Sequence, residues 1–268
     1  MATDALSTIR DNQENLIKVP TGDAYIDSTE QLVDINEAYE MTAYEHDWLE
    51  LLKRGATVIV ANVRKYNTPT RFRKFRQFWM SGVQYKEIEF ENMKYASYSY
   101  VVDKQEGSFW VTTQPSAAST AYSLTNNESA GNAVTIELDT VSGLSAGEEI
   151  FVNGTTPEFT NVSSVGSADI VARLKNTTGA SKILYRSDDI IHYQWYEAVL
   201  KLSAAADVTV LPDVTDTIIP YAAAYIYFFK LQEFDRAQKY LEAWKFKLNN
   251  AWLSHDKVST GDSSEFSI

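Results

Sequence analysis

TIIPYAAAYIYFFKLQEFDRAQKYLEAWKFKLNNAWL, Thr217–Leu253, carries the strongest structural signal in the chain. Pro220 opens a run that is apolar on every side as far as Phe229, the pattern of a helix buried all round with proline in its first turn. An acidic turn follows at Glu233–Asp235. Beyond it Phe234, Ala237, Leu241, Trp244, Leu248 and Trp252 recur three, four or seven residues apart, which predicts a one-sided helix. The two segments together predict a buried helix antiparallel to an amphipathic one. Neither carries a catalytic group, so the pair reads as scaffold.

Outward from this pair, the next helical signal is early. Ser28 with Gln31 three residues on has the capping-box spacing, and Leu32, Ile35, Tyr39, Trp48, Leu51 and Leu52 form an apolar stripe. They predict a helix of about seven turns at 3.6 residues per turn. Gly55 ends it, with Lys53 and Arg54 suited to the negative end of the helix dipole. Strand patterns follow at Thr57–Val63, Phe78–Met80, Val83–Phe90, Tyr95–Val102 and Ser108–Thr113, with a hairpin turn at Ser81–Gly82. Residues 116–185 change character: they are rich in Ser, Thr, Gly and Asn, and Tyr122, Phe151, Phe159 and Tyr185 are their only aromatics. Val134–Leu138, Glu149–Val152, Phe159–Val165 and Ile170–Leu174 read there as short strands between turns. Aromatic sequence resumes at His192–Leu200.

The expected fold is therefore α+β: a helical bundle core with β-hairpins, from residues 28–115 and 186–253, and a small β subdomain inserted at 116–185. Residues 1–27 read as an extended arm. Residues 254–268 read as a flexible arm, polar except for Phe266 and Ile268 near its end. Two residues apart, those side chains share one face of an extended chain and suit a groove or a strand edge on a partner.

The net charge of −12 argues against a surface built to grip nucleic acid, where phosphate attraction dominates. The chain has no cysteine, which removes disulfides, thiol catalysis and cysteine-bound zinc. The N-terminal residues lack the pattern of a signal peptide, and no apolar run approaches the roughly 20 residues of a membrane span, so a soluble protein without membrane contact is expected. His46, His192 and His255 are scattered without metal or triad spacing, and no cofactor or metal is expected. Glu148–Glu149 and Asp188–Asp189 are the paired acids. Phosphate-loop, dinucleotide and zinc-protease motifs are missing. No catalytic residue is assigned.

The charge pattern is more informative. From Lys53 to Arg76 every charged residue is basic: Lys53, Arg54, Arg64, Lys65, Arg71, Arg73, Lys74 and Arg76. Three readings are open for this tract: a solvated hairpin, an interface with an acidic neighbour, or a nucleic-acid contact. In a homo-oligomer of acidic chains the neighbour is at hand.

The order of these parts resembles the head-to-tail connector, or adaptor, proteins of tailed bacteriophages. The resemblance rests on INEAYEMTAYEHDWLELL (Ile35–Leu52), PTRFRKFRQFWMSGVQYKEIEFENM (Pro69–Met93), FWVTTQP (Phe109–Pro115) and TDTIIP (Thr215–Pro220) ahead of the last helix pair. It covers residues 28–115 and 190–253. The β-rich segment between them looks more like the larger adaptors of short-tailed phages. The resemblance implies a structural virion protein of the head–tail junction, assembled in the host cytoplasm, with no enzymatic activity. It implies a homo-oligomeric ring, commonly a dodecamer, that binds the portal and receives tail or nozzle proteins while DNA passes through its lumen without sequence-specific contact. Docking on the portal falls to the C-terminal segment, hence to Phe266 and Ile268. One rival reading is a tail or receptor-binding virion protein that uses the β insertion on a host surface. The other is a hydrolase built around Asp188–Asp189.

Overall fold

The computed structural model describes residues 6–17, 28–154, 156–179, 182–204 and 206–261. They divide into two units, one drawn from Met1–Leu52 and Ala198–Ile268, the other from Lys53–Glu197. These boundaries fall inside the two segments expected to share one core.

The first unit is helical. It holds α1 (Leu6–Ile17), α2 (Ser28–Glu45), α3 (Ile219–Lys230) and α4 (Phe234–Gly261). Helix α3 packs against all three others. Its Ala222, Ala223 and Ala224 are all fully buried, as small side chains allow where helices approach from several sides. Pro220 sits in its first turn, where the missing N–H is no loss. Helix α1 buries Leu6, Ile9, Gln13 and Ile17 along one face, where the sequence predicts an extended arm. Helix α4 likewise continues past Leu253, into the segment expected to be a flexible tail.

Helix α2 stops seven residues short of the expected Leu52. The chain bends at His46, and the buried Trp48 indole folds back to donate to the Thr42 carbonyl at 3.1 Å. A 3-10 turn at Leu49–Leu51 then leads straight into a strand. Gln31 does not complete a capping box. Its buried amide donates instead to the Arg10 carbonyl and the Glu14 carboxylate of α1. The return of the chain is pinned on α2 as well: Asn36 exchanges two hydrogen bonds with the Leu202 backbone, and the Val210 N–H donates to the Tyr39 hydroxyl.

The second unit is built of strands: β1 (Leu52–Val58), β2 (Lys65–Asn67), β3 (Phe72–Met80), β4 (Val83–Gln84), β5 (Lys86–Glu87), β6 (Ser99–Asp103), β7 (Ser108–Val111), β8 (Tyr122–Ser123), β9 (Gly131–Glu137), β10 (Glu149–Asn153), β11 (Glu158–Val165), β12 (Asp169–Leu174), β13 (Ile183–Arg186) and β14 (Ile190–Glu197). They form two four-stranded sheets, β1-β14-β3-β4 and β2-β7-β6-β5, and a six-stranded sheet, β8-β13-β10-β11-β12-β9. This overturns the expected helical bundle core with hairpins and a small β subdomain. The described residues are mostly β, with fourteen strands in three sheets.

The difference has a local cause. In β3 the rings of Phe72, Phe75 and Phe78 recur every third residue, which is not a strand period. Pairing with β14 shows the reason. The register slips between Gln194 and Trp195 and again between Tyr196 and Glu197, so Arg76 and Arg73 are extra residues on the β3 side. Each slip resets the alternation, and Phe72, Phe75 and Phe78 face one aromatic core with Tyr100, Phe109 and Tyr193. The two-residue turn Ser81–Gly82, both at positive φ, closes the hairpin to β4 as a twist-matched turn. The six-stranded sheet keeps its own core around Ile136, Ile150, Val162, Ile170 and Leu184.

Candidate interaction surfaces

The side chains that the sequence offers for chemistry are engaged in packing. His46 stacks flat on Trp252 at 4.8 Å and meets Trp48 edge-on, and burial holds its pKa below the usual value. His192 stacks on Trp79 at 4.8 Å, and burial, helped by the nearby Arg54, lowers its pKa too. The His255 side chain lies outside the described residues. Among the described residues no group of three His, Asp or Glu side chains is placed to hold a metal ion.

Three of the four paired acids lie against arginines. Glu148 binds Arg186, and Glu149 forms a two-pronged pair with Arg54 at 2.6–2.7 Å, whose guanidinium also covers the Phe159 ring. Asp189 lies 3.9 Å from Arg186, and its backbone carbonyl accepts a hydrogen bond from the Ser119 hydroxyl. Asp188 lies beside the turn at Gly82.

The basic tract is spread over three strands and the turns between them. Lys65 on β2 binds Glu106 and lies 5.2 Å from the Trp110 ring. Arg71, at positive φ just before β3, binds Glu197 of β14. Lys74 sits over the Tyr196 ring at 5.4 Å. Arg73 and Arg76 are the two bulge residues, the first half-buried and the second exposed. Arg64 is exposed, while its carbonyl accepts the Val111 N–H. Part of the tract's charge is thus met by acids of the same unit. Phe266 and Ile268 lie outside the described residues.

The helical unit also carries an open acidic and apolar surface. Helix α2 carries five carboxylates, Glu30, Asp34, Glu37, Glu40 and Glu45, and no basic residue. Asp34 is buried against Lys230, and burial pushes its carboxyl up against the pull of that ammonium. Glu30, Glu37, Glu40 and Glu45 are exposed. Between α2, α3 and α4 runs an open groove of about 660 Å³, floored by Met41, Tyr44, Tyr225, Leu241 and Trp244. Glu37, Glu40, Glu45 and Lys245 line it as well.

Helix α4 has a second apolar face. Ala237, Trp244, Leu248 and Ala251 are buried, yet Phe246 is 69% exposed and Leu253 56%. Each is two residues from a buried position, about 200° round the helix, and so points away from the core. At the α3–α4 turn Phe229 and Phe234 are exposed and touch edge to face. By spacing alone Phe234 falls on the expected core stripe and Phe246 on no stripe. The missed signal is that Phe246 and Leu253, seven residues apart, fall off the stripe that Trp244, Leu248 and Trp252 define.

In comparisons with known proteins, no family model and no curated protein matches the chain.

Proposed function

We propose that the protein is a structural virion component, a ring-forming head-to-tail adaptor that binds a portal, receives tail proteins and lets DNA pass through its lumen. The observation that carries this reading is the helical unit made from both ends of the chain. It leaves an acidic helix with an aromatic groove on one element and a face bearing exposed Phe246 and Leu253 on another. Apolar side chains exposed in this way are sites for association. Two dissimilar faces on one chain generate a ring when the rotation between copies closes. The resemblance of Ile35–Leu52, Pro69–Met93, Phe109–Pro115 and Thr215–Pro220 to phage adaptors supports the same reading, and their order along the chain is the adaptor order.

The net charge of −12 favours a lumen along which phosphates slide without sticking. The location that follows is the head–tail junction of the virion. The described helices include none long and apolar enough to cross a membrane.

The test is the mass and symmetry of the purified full chain, by native mass spectrometry and electron microscopy, alone and with portal. A closed ring that adds to portal particles is the expected result. A trimer that binds host-surface carbohydrate through residues 116–185 would replace the adaptor with a receptor-binding protein. A monomer that leaves portals bare would sink it outright.

A further inference from the structure

We infer that the groove at the open end of the β5–β6 ladder seats an extended segment of a partner protein in which basic and apolar residues alternate. The contact lies wholly in the β unit and goes beyond the ring reading. Three observations carry it.

The first is a free stretch of sheet edge. Strand β6 turns the backbone of Ser99, Val101 and Asp103 towards β7: the Thr112 N–H donates to the Ser99 carbonyl, and Trp110 and Ser108 stand opposite Val101 and Asp103. Antiparallel rungs alternate, so Tyr100 and Val102 turn their backbone groups to the other edge. There the Tyr98 and Tyr100 carbonyls accept the Lys86 and Ile88 N–H groups, and the ladder to β5 stops. Val102 stands at the next rung, and among the described residues none closes it. A strand added from outside completes it, the mode in which main-chain hydrogen bonds give affinity and alternate side chains give specificity. The second is room. Residues 88–90 part from β6 at this point, and an open groove of about 620 Å³ lies between them and residues 101–105.

The third is the lining. Glu87 is in β5 and Glu89 has extended backbone, so Glu87 and Glu89 lie on one side of their segment and Ile88 and Phe90 on the other. The Phe90 ring is 58% exposed and meets Trp110 edge-on. Glu87, Glu89 and Asp103 line the groove against a single cation, Lys104. Two of these carboxylates are held in place: Glu87 accepts the Tyr100 hydroxyl, and Asp103 accepts the Gln105 and Glu106 N–H groups. Other cations of this region are turned elsewhere. Lys65 binds Glu106, Lys94 lies 4.7 Å from the Tyr95 ring, and Lys86 points to the opposite side of β5 from Glu87. A strand laid along Val102 therefore meets carboxylates and apolar side chains in alternation. That selects basic residues alternating with apolar ones and repels an acidic segment.

The probe is the blocked hexapeptide Val-Lys-Val-Lys-Val-Lys, beside Val-Glu-Val-Glu-Val-Glu and hexalysine. Each is titrated into the full chain by calorimetry, and hydrogen exchange of residues 99–105 is followed by mass spectrometry. The alternating basic peptide is expected to bind and to slow that exchange by about tenfold or more, while the acidic peptide does not bind. Glu89→Lys and Phe90→Ser are each expected to weaken binding by about tenfold, with unchanged circular dichroism. Equal binding of hexalysine would reduce the effect to charge attraction and overturn the strand seat. So would binding that leaves the exchange unchanged, or no binding at all. Should a variant misfold, the exchange of the wild-type chain decides. None of these failures touches the ring reading, which is judged by particle mass and symmetry.

Discussion

At the scale of single residues, Gln232 shows how a local rule is broken at a defined cost. It occupies the left-handed region at φ 61, where the Glu233 N–H reaches back to the Phe228 carbonyl and its own N–H to the Phe229 carbonyl. That is the Schellman ending of α3, a position usually held by glycine. Gln232→Gly is expected to raise stability by about 0.5–1 kcal/mol, read from the denaturant midpoint at unchanged slope. Two half-buried histidines, His46 and His192, set a pH response. Both pKa values are lowered by burial, so both rings stay neutral in the fold while the unfolded chain takes up protons below about pH 6.5. Stability contributed by the neutral rings is complete above that value and is lost as pH falls towards the lowered folded values. Around His46, Glu45 and Asp47 oppose the shift without reversing it. A series of unfolding curves from pH 7.5 to 5 is expected to show falling stability, with a shallower fall in His46→Phe, where the ring stack on Trp252 survives but the titration does not.

At the scale of elements, β3 is held in register by its irregularities. Because Arg73 and Arg76 are inserted residues, deleting Arg76 alone leaves Phe75 and Phe78 two positions apart, opposite the same β14 partners and on the same face. The expected result is a retained near-ultraviolet aromatic signal, because the rings keep their places in the core. Loss of that signal would show that the bulge itself, and not only the spacing of the rings, holds the strand in register. Gly55 is the second element-scale case. It is a strand glycine in β1, not a helix stop, and an added Cβ there comes within 2.9 Å of the Trp195 ring. Gly55→Ala is expected to destabilise by about 1–3 kcal/mol through overpacking, whereas the same change in a helix end would cost little.

At the scale of the whole molecule, two units made from one chain should respond separately to injury. The six-stranded sheet has its own core, but Phe151, Phe159, Ile183 and Tyr185 also pack against Ala56, Val58 and Ile190 of the neighbouring sheet. Replacing Tyr122–Tyr185 by a short Gly/Ser linker is expected to keep the helical circular dichroism while lowering the midpoint of the β unit, because those three residues lose their cover. Loss of the helical signal would show that the helices depend on the deleted sheet. The sequence by itself determined what short-range rules govern. The α3–α4 pair, the Ser81–Gly82 turn and the strands between Gly131 and Leu174 follow from periodicity and turn chemistry within a few residues. Tertiary structure alone decided where α2 ends, since Trp48 leaves the helix to bury itself, and it alone made a strand of the period-three β3, since bulges are defined only against β14. It also decided the use of the charges. Arg54, Lys65 and Arg71 meet acids 41 to 126 residues away along the chain, pairings that no local pattern encodes. Phe246 reads as one more apolar residue in a helix until the packing of Trp244 and Leu248 fixes which side of α4 faces the core, and leaves it outside.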